Sequence, residues 1–371
     1  MTDPLSSLET EPRYREANLP TVSRKTFPIA GIQTTVFGLD ELPPQASEIA
    51  CLWLLHPRLA TLERMTPIAT AVITDWNKRI QEGRAGSGQS VKGLIAIAFD
   101  QRNHGTRLVD PICNESWKKG NPRHAQDMFS VFQGTARDTS ILIDYLPAFV
   151  FPKSDRRVLE NLVLGVSLGG HAAWSCILHE PRITTAVVVI GCPDYVNVMA
   201  DRARLSKRPS WKDTTPPGAQ FLGSEDFPTS LLETVRRYDP AGLFLSHLDL
   251  SPEAQPIRSA PIPEPTDNQK TTLRPLLACC VAGKKILNLS GGVDKLVPYH
   301  KGETFLTWFK QAIGPDGWFA DGAVTFEDII DQSAGHEVTP KMVDEAVRFI
   351  GDALASGKDD PKKASVRESK I

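Results

Sequence analysis

At 371 residues the chain can hold one large α/β domain with an insertion or two modest domains, and its 41% apolar and 23% charged residues are those of an ordinary soluble globular protein. With 42 basic against 44 acidic side chains the net charge is −2, which argues against nucleic acid or an anionic membrane surface as the main partner. The cysteines at 51, 113, 176, 192, 279 and 280 show no C-x-x-C spacing and read as buried thiols of an intracellular protein. No run approaches the ~18 apolar residues of a membrane span, and Met1 to Pro20 lacks the apolar core of a signal peptide.

Phe27 to Leu39 alternates apolar and polar residues around Gly31, which predicts a pair of short edge strands. Glu48 to Leu55 is a buried strand ending in His56-Pro57-Arg58-Leu59. Thr66-Pro67 supplies an N-cap and a first-turn proline for a helix carrying Ile68, Val72, Trp76 and Ile80. Gly83 to Ser90 follows a helix and lacks Gly-Lys-Ser/Thr, so it is not a phosphate loop. The strand Gly93 to Phe99 runs into Asp100-Gln-Arg-Asn-His-Gly-Thr-Arg107, and a helix is expected from about Arg123 to Tyr145. Next come strand Leu162 to Val166, a helix stopped by Pro181, and strand Ile183 to Ile190. From Pro209 to Pro265 periodicity dissolves among prolines, with Trp211, Phe221 and Phe227 scattered between them; an inserted lid of short helices and loops fits this better than a linker. Lys285 to Ser290 resumes the strands and leads into Gly291-Gly-Val-Asp294. A helix with Phe305, Leu306, Phe309 and Ile313 follows, then strand Ala323 to Ile329 and Gln332-Ser-Ala-Gly-His336. Thr339-Pro340 opens a last helix with Val343, Ala346, Val347 and Ile350 on one face. Strands alternating with helices mean an α/β protein with a mostly parallel sheet covered on both faces.

Gly165-Val166-Ser167-Leu168-Gly169 fits G-x-S-x-G in the context that gives it a mechanism: a buried strand before it and a helix after it. The turn lifts Ser167 onto a strained backbone, and the Leu168 N–H at the helix start points at developing negative charge. A serine hydroxyl needs a base to remove its proton, and the base needs a third group to fix its tautomer. Downstream, Asp294 and then His336 each lie in the loop that ends a predicted strand, the edge of a parallel sheet where sites form. Asp328 and Asp331 are alternative acids. His104, His171 and His56 read as packed or loop-bracing residues. No grouping of His, Cys and carboxylates has metal-ligand spacing, so neither a metal nor a cofactor is expected.

These features resemble the alpha/beta-hydrolase family over roughly residues 25 to 355. Gly291 to Pro298 is similar to its acid loop, Gly335-His336 to its histidine loop, and Asp100 to Gly105 to the loop after its fourth strand. The resemblance implies nucleophile Ser167, acid Asp294 and base His336. Where many members have His-Gly at the oxyanion loop this chain has His56-Pro57, and proline has no N–H to give. Leu168 is therefore expected to be joined in the oxyanion hole by Arg58 or Leu59. The implied organisation is an extension at 1–24, a core at 25–193 and 284–355, a lid at 194–283 and a flexible tail at 356–371. The expected activity is hydrolysis of an ester or thioester of a small or medium apolar acyl group through an acyl-serine. Acyl transfer, C–C hydrolysis and a non-catalytic binding role are the alternatives. The terminal Ser369-Lys370-Ile371 resembles a peroxisomal signal, so the expected location is the cytoplasm or the peroxisome. The tail, lid and loop pattern also resembles hydrolases of fungal metabolite clusters.

Overall fold

A computed structural model describes residues 3–15, 18, 20–86, 92–250, 257–258, 260–356 and 365–370. The strands, in chain order, are β1 Arg24–Ile29, β2 Ile32–Phe37, β3 Glu48–Leu55, β4 Lys92–Phe99, β5 Arg157–Val166, β6 Ile183–Val189, β7 Lys285–Gly291, β8 Thr325–Asp331 and β9 Ser365–Lys370. The helices are α1 Thr66–Gln81, α2 His124–Val150, α3 Leu168–His179, α4 Tyr195–Leu205, α5 Pro209–Lys212, α6 Thr229–Tyr238, α7 Pro240–Leu245, α8 Asp267–Val281, α9 Glu303–Ile313 and α10 Pro340–Ala355.

The strands form one sheet in the order β1-β2-β4-β3-β5-β6-β7-β8-β9. β1 and β2 run antiparallel to their neighbours, and every other pairing is parallel. Continuous apolar runs suit such a sheet because both faces are covered. Cys51, Trp53 and Leu55 of β3 pack into one apolar cluster with α2, α3, α8 and α9. Ala50, Leu52 and Leu54 pack into the other with α1 and α10.

Several boundaries differ from the sequence expectation for local reasons. A 3₁₀ turn, Leu62–Met65, precedes α1, so Thr66 lies inside the helix rather than capping it. α2 continues through Pro147, which sits in its last turn, where one lost hydrogen bond is tolerated. The proline-rich stretch holds α5, α6 and α7. Its aromatics are pinned inward: Trp211 meets Phe221 at 6.0 Å, Phe221 meets Phe227 at 5.4 Å, and Trp117 of the core meets Phe221 at 6.3 Å. α8, also within 194–283, buries Leu273, Leu277 and Val281 in the same cluster and lies on α3. The lid region is thus continuous with the packed layer over one face of the sheet.

Both ends of the chain do more than expected. The polar extension buries Leu5, Leu8 and Tyr14 in the α1/α10 cluster. Val338 N–H donates to Pro4 O at 2.8 Å, Ser7 Oγ donates to Val338 O at 2.7 Å, and Arg13 grips Asp344 through two hydrogen bonds of 2.9 and 2.8 Å. In the stretch 356–371, expected to be a flexible tail, 365–370 adds as β9 along the free edge of β8, with Ser369 opposite Ile329 and Lys370 opposite Ile330. An unpaired parallel edge is a ready template for such a strand. Residues 357–364 and Ile371 lie outside the described residues.

The N-terminal segment is expected to contribute to stability as core does. Leu8→Ala, at a side chain 1% exposed, should lower the unfolding free energy by about 2–4 kcal/mol in a denaturant titration. An unchanged midpoint would show that the segment only decorates the surface.

Candidate active site

Only Ser167 separates the end of β5 from the start of α3. Its backbone sits at φ 55°, ψ −109°, a conformation that residues with side chains avoid. Ser167 N–H donates to Val189 O at 2.9 Å, and His171 N–H donates to Ser167 O at 3.0 Å. The strained residue is therefore held by β6 on one side and by the first helical turn on the other. The flanking glycines are required by distance. A Cβ on Gly165 would meet Gly169 O at 1.9 Å, and one on Gly169 would meet Leu55 O at 2.0 Å.

The carboxyl ends of β7 and β8 bring Asp294 and His336 to this serine. Ser167 Oγ lies 2.9 Å from His336 Nε2, and His336 Nδ1 lies 2.8 Å from Asp294 Oδ2. Asp294 Oδ1 accepts from Leu296 N–H at 2.7 Å and Val297 N–H at 2.9 Å. Burial alone would raise the Asp294 carboxyl. The hydrogen bond and charge of His336, with the two amides, outweigh burial and hold it below its usual value. An anionic Asp294 accepts from Nδ1–H, which leaves the Nε2 lone pair facing the serine hydroxyl.

The two loops hold one another. Gly292 N–H donates to Asp331 O at 2.7 Å and Val293 N–H donates to Ala334 O at 3.0 Å. The approach is close enough that a Cβ on Gly291 would meet Gly335 O at 2.4 Å. The two alternative acids are engaged elsewhere. Asp328 accepts from Asn288 at 2.9 Å, Tyr299 at 2.8 Å and Lys310 at 3.0 Å. Asp331 accepts from Ser333 N–H at 3.1 Å and Thr339 Oγ1 at 2.8 Å, which shapes the histidine loop.

On the other side of Ser167 lies the loop after β3. His56 Nδ1 lies 2.8 Å from Pro57 O, and its Nε2 accepts from Gln101 N–H at 2.9 Å. That pattern makes Nδ1 the protonated nitrogen, and burial pushes the imidazole down to about 4, so it braces the loop as a neutral ring. Asp100 accepts from Leu62 N–H at 2.9 Å and Thr106 N–H at 2.7 Å, joining the loops after β3 and β4. Arg58 is nearly buried and Nη1 donates to Asn114 O at 2.6 Å. Leu59 is exposed with φ 64°, in the turn closed by Ala60 N–H to Pro57 O at 3.3 Å. Leu168, 2% exposed, opens α3.

His171 packs as the sequence suggests: Nδ1 lies 3.0 Å from Cys192 O and the ring stacks on Phe132 at 5.4 Å. Arg202, which no sequence signal marks, also stands here. Its Nη2 donates to Leu296 O at 3.3 Å, in the Asp294 loop. Among the described residues no group of three His, Cys, Asp or Glu could hold a metal ion, and no helix is long and apolar enough to cross a membrane.

A sheet of this strand order, with a serine at a strand-to-helix elbow and partners at the ends of later strands, is the alpha/beta-hydrolase fold. No family model matches the chain, and no curated protein matches it in sequence. Solved structures do. A protein of Thermus thermophilus, TT1662, is 17% identical, covering 90% of this chain and 99% of its own, with a TM-score of 0.51. An S-formylglutathione hydrolase from Agrobacterium tumefaciens is 16% identical over 90% and 92% of the two chains, with a TM-score of 0.43. A 2,6-dihydroxy-pseudo-oxynicotine hydrolase is 15% identical over 94% and 72%, with a TM-score of 0.44. At 17% identity the likeness to TT1662 is one of fold.

The elbow predicts an unusual response to a small substitution. Gly165→Ala would ordinarily be neutral or mildly stabilising in an extended strand. Here it should destabilise by about 1–3 kcal/mol or more, read as a fall in the thermal midpoint, because its methyl group has no space. A midpoint at or above that of the parent protein would refute the close approach of β5 and α3.

Proposed function

We propose that the protein is a serine hydrolase that cleaves an ester or thioester of a small or medium, largely apolar acyl group through an acyl-serine. The observation that carries this reading is the continuous hydrogen-bonded line from Ser167 Oγ through His336 to Asp294. Ser167 attacks the carbonyl carbon as His336 Nε2 takes its proton. The tetrahedral intermediate collapses when the same nitrogen returns that proton to the leaving oxygen or sulfur. Water then repeats the sequence on the acyl-serine and releases the acid. Asp294 holds Nδ1–H and stabilises the imidazolium formed in each half-reaction. The Leu168 N–H meets the developing oxyanion, with Arg58 or Leu59 as the second donor. The proline- and aromatic-rich make-up of the 194–283 region supports a small or medium apolar acyl group. Placement in the cytoplasm or the peroxisome stays part of the proposal. Ser369 and Lys370 of the suggested signal end β9, and Ile371 lies outside the described residues.

Labelling with a fluorophosphonate probe tests the reading. The wild-type protein should label, and Ser167→Ala and His336→Ala should not. Labelling that persists in Ser167→Ala, or a wild type that never labels, would refute it. Asp294→Asn keeps the shape of the acid but presents the wrong hydrogen-bonding partner to Nδ1. It should lower kcat on 4-nitrophenyl esters by a factor on the order of 10⁴. A kcat within a few-fold of wild type would assign the acid elsewhere.

A further inference from the structure

A guanidinium without a carboxylate stands beside the triad. Arg202 lies in the last turn of α4. Its Nη1 donates to His124 Nε2 at 3.3 Å and lies 2.9 Å from Met128 Sδ, and Nη2 donates to Leu296 O at 3.3 Å. Its Nε is buried with no partner. Three nearby arginines do have carboxylates: Arg204 with Asp201 at 2.8 Å, Arg208 with Asp226 at 2.6 Å, and Arg258 with Asp194 at 2.8 Å. Asp201, next to Arg202 in sequence, is taken by Arg204 and by Lys301 at 3.5 Å. Among the described residues, then, Arg202 has only neutral acceptors.

Its neighbours do not supply the missing charge. His124 and His171 are both driven below the ordinary imidazole value, by burial first and then by the Arg202 charge, so both are neutral. Arg58 is a second guanidinium in the same field, pushed down to about 10 by burial and then by Arg202. Asp294 feels Arg202 but is held by His336 and two amides. His171 Nε2, one helical turn from Ser167, is likewise buried without a partner. Orphaned polar atoms are rare in folded interiors, and two of this chain's belong to Arg202 and His171. α4 holds the guanidinium firmly. Asp194 caps the helix, Asp239 accepts from Tyr195 N–H at 3.0 Å, and Tyr195 Oη donates to Ala125 O at 2.6 Å.

We propose that Arg202 forms an anion subsite of the Ser167 site and that the acyl chain of the substrate ends in a carboxylate seated against it. This rests on the serine-hydrolase reading and narrows its substrate class. A carboxylate gains charge-assisted hydrogen bonds that carbonyl, imidazole and thioether acceptors cannot offer, and more so where water is excluded. Met128 against the guanidinium, and Trp117 packed on His124 at 5.2 Å, make its surroundings apolar. The anion therefore arrives on a hydrocarbon linker. The substrate is the half-ester or half-thioester of a dicarboxylic acid.

Mono-4-nitrophenyl adipate and 4-nitrophenyl hexanoate differ only in a carboxylate for a terminal methyl, and the ratio of their kcat/KM values within each variant cancels effects on the triad. Wild type should prefer the adipate ester by about tenfold or more. Arg202→Gln should bring the ratio to within about twofold of unity, and Arg202→Lys, which keeps the charge, should lie between. A wild-type ratio near unity, or one that Arg202→Gln leaves unmoved, overturns the subsite while leaving the hydrolase reading intact. Titration calorimetry of adipate into Ser167→Ala, with and without Arg202→Gln, reads the subsite without catalysis. Binding weakened about tenfold by the second substitution supports it, and equal binding overturns it. If fluorophosphonate fails to label the wild type, the hydrolase reading falls and this titration alone decides the subsite.

Discussion

Everything at the site depends on how closely three stretches of backbone pass beneath Ser167. β5 enters, α3 leaves, and the end of β3 lies alongside, with no space for even a methyl group between them. That closeness aims the first amides of α3 at the edge of the sheet and lifts the serine clear of it. The strained backbone costs about 1–3 kcal/mol. It is offset by surroundings that cannot relax: Leu164, Val166 and the β3 residues Leu54 and Leu55 are all fully buried.

The remaining parts of the site are loops, and loops are positioned only by what binds them. The acid and histidine loops exchange backbone hydrogen bonds with one another. The loop after β3 is tied to the loop after β4 through His56 and Asp100. The N-terminal segment links the two halves. It pairs Asp3 and Glu9 with Arg64, just beyond the β3 loop, while Pro4 and Ser7 bind Val338, just beyond His336. The edge carrying Ser167, Asp294 and His336 is thus closed into a frame by a segment that contributes no group to it.

The central strands and the meeting of Ser167, Asp294 and His336 were legible because each left a pattern that depends on few other residues. Runs such as Glu48–Leu55 and Ile183–Val189 are apolar throughout, as burial on both faces demands. Ser167, Asp294 and His336 each follow such a run, and glycines at 165, 169, 291 and 292 leave the space in which their turns and loops meet. The rest was hidden because tertiary packing decides it. Leu5, Leu8 and Tyr14 are too sparse among charges to announce a buried segment. The short helices of the proline-rich stretch owe their position to Phe221 and Phe227, not to periodicity. Arg202 stands in sequence between Asp201 and Arg204, and no motif marks it. Its setting appears only once α4 is laid against the Asp294 loop.

β9 has a directional consequence. Because it runs parallel to β8, with Lys370 opposite Ile330, β9 finishes at the end of the sheet that carries Asp331 and the histidine loop. A linker or affinity tag joined at Lys370 would therefore leave from the rim that carries Ser167, Asp294 and His336. The opposite rim, where the strands begin, would stay clear.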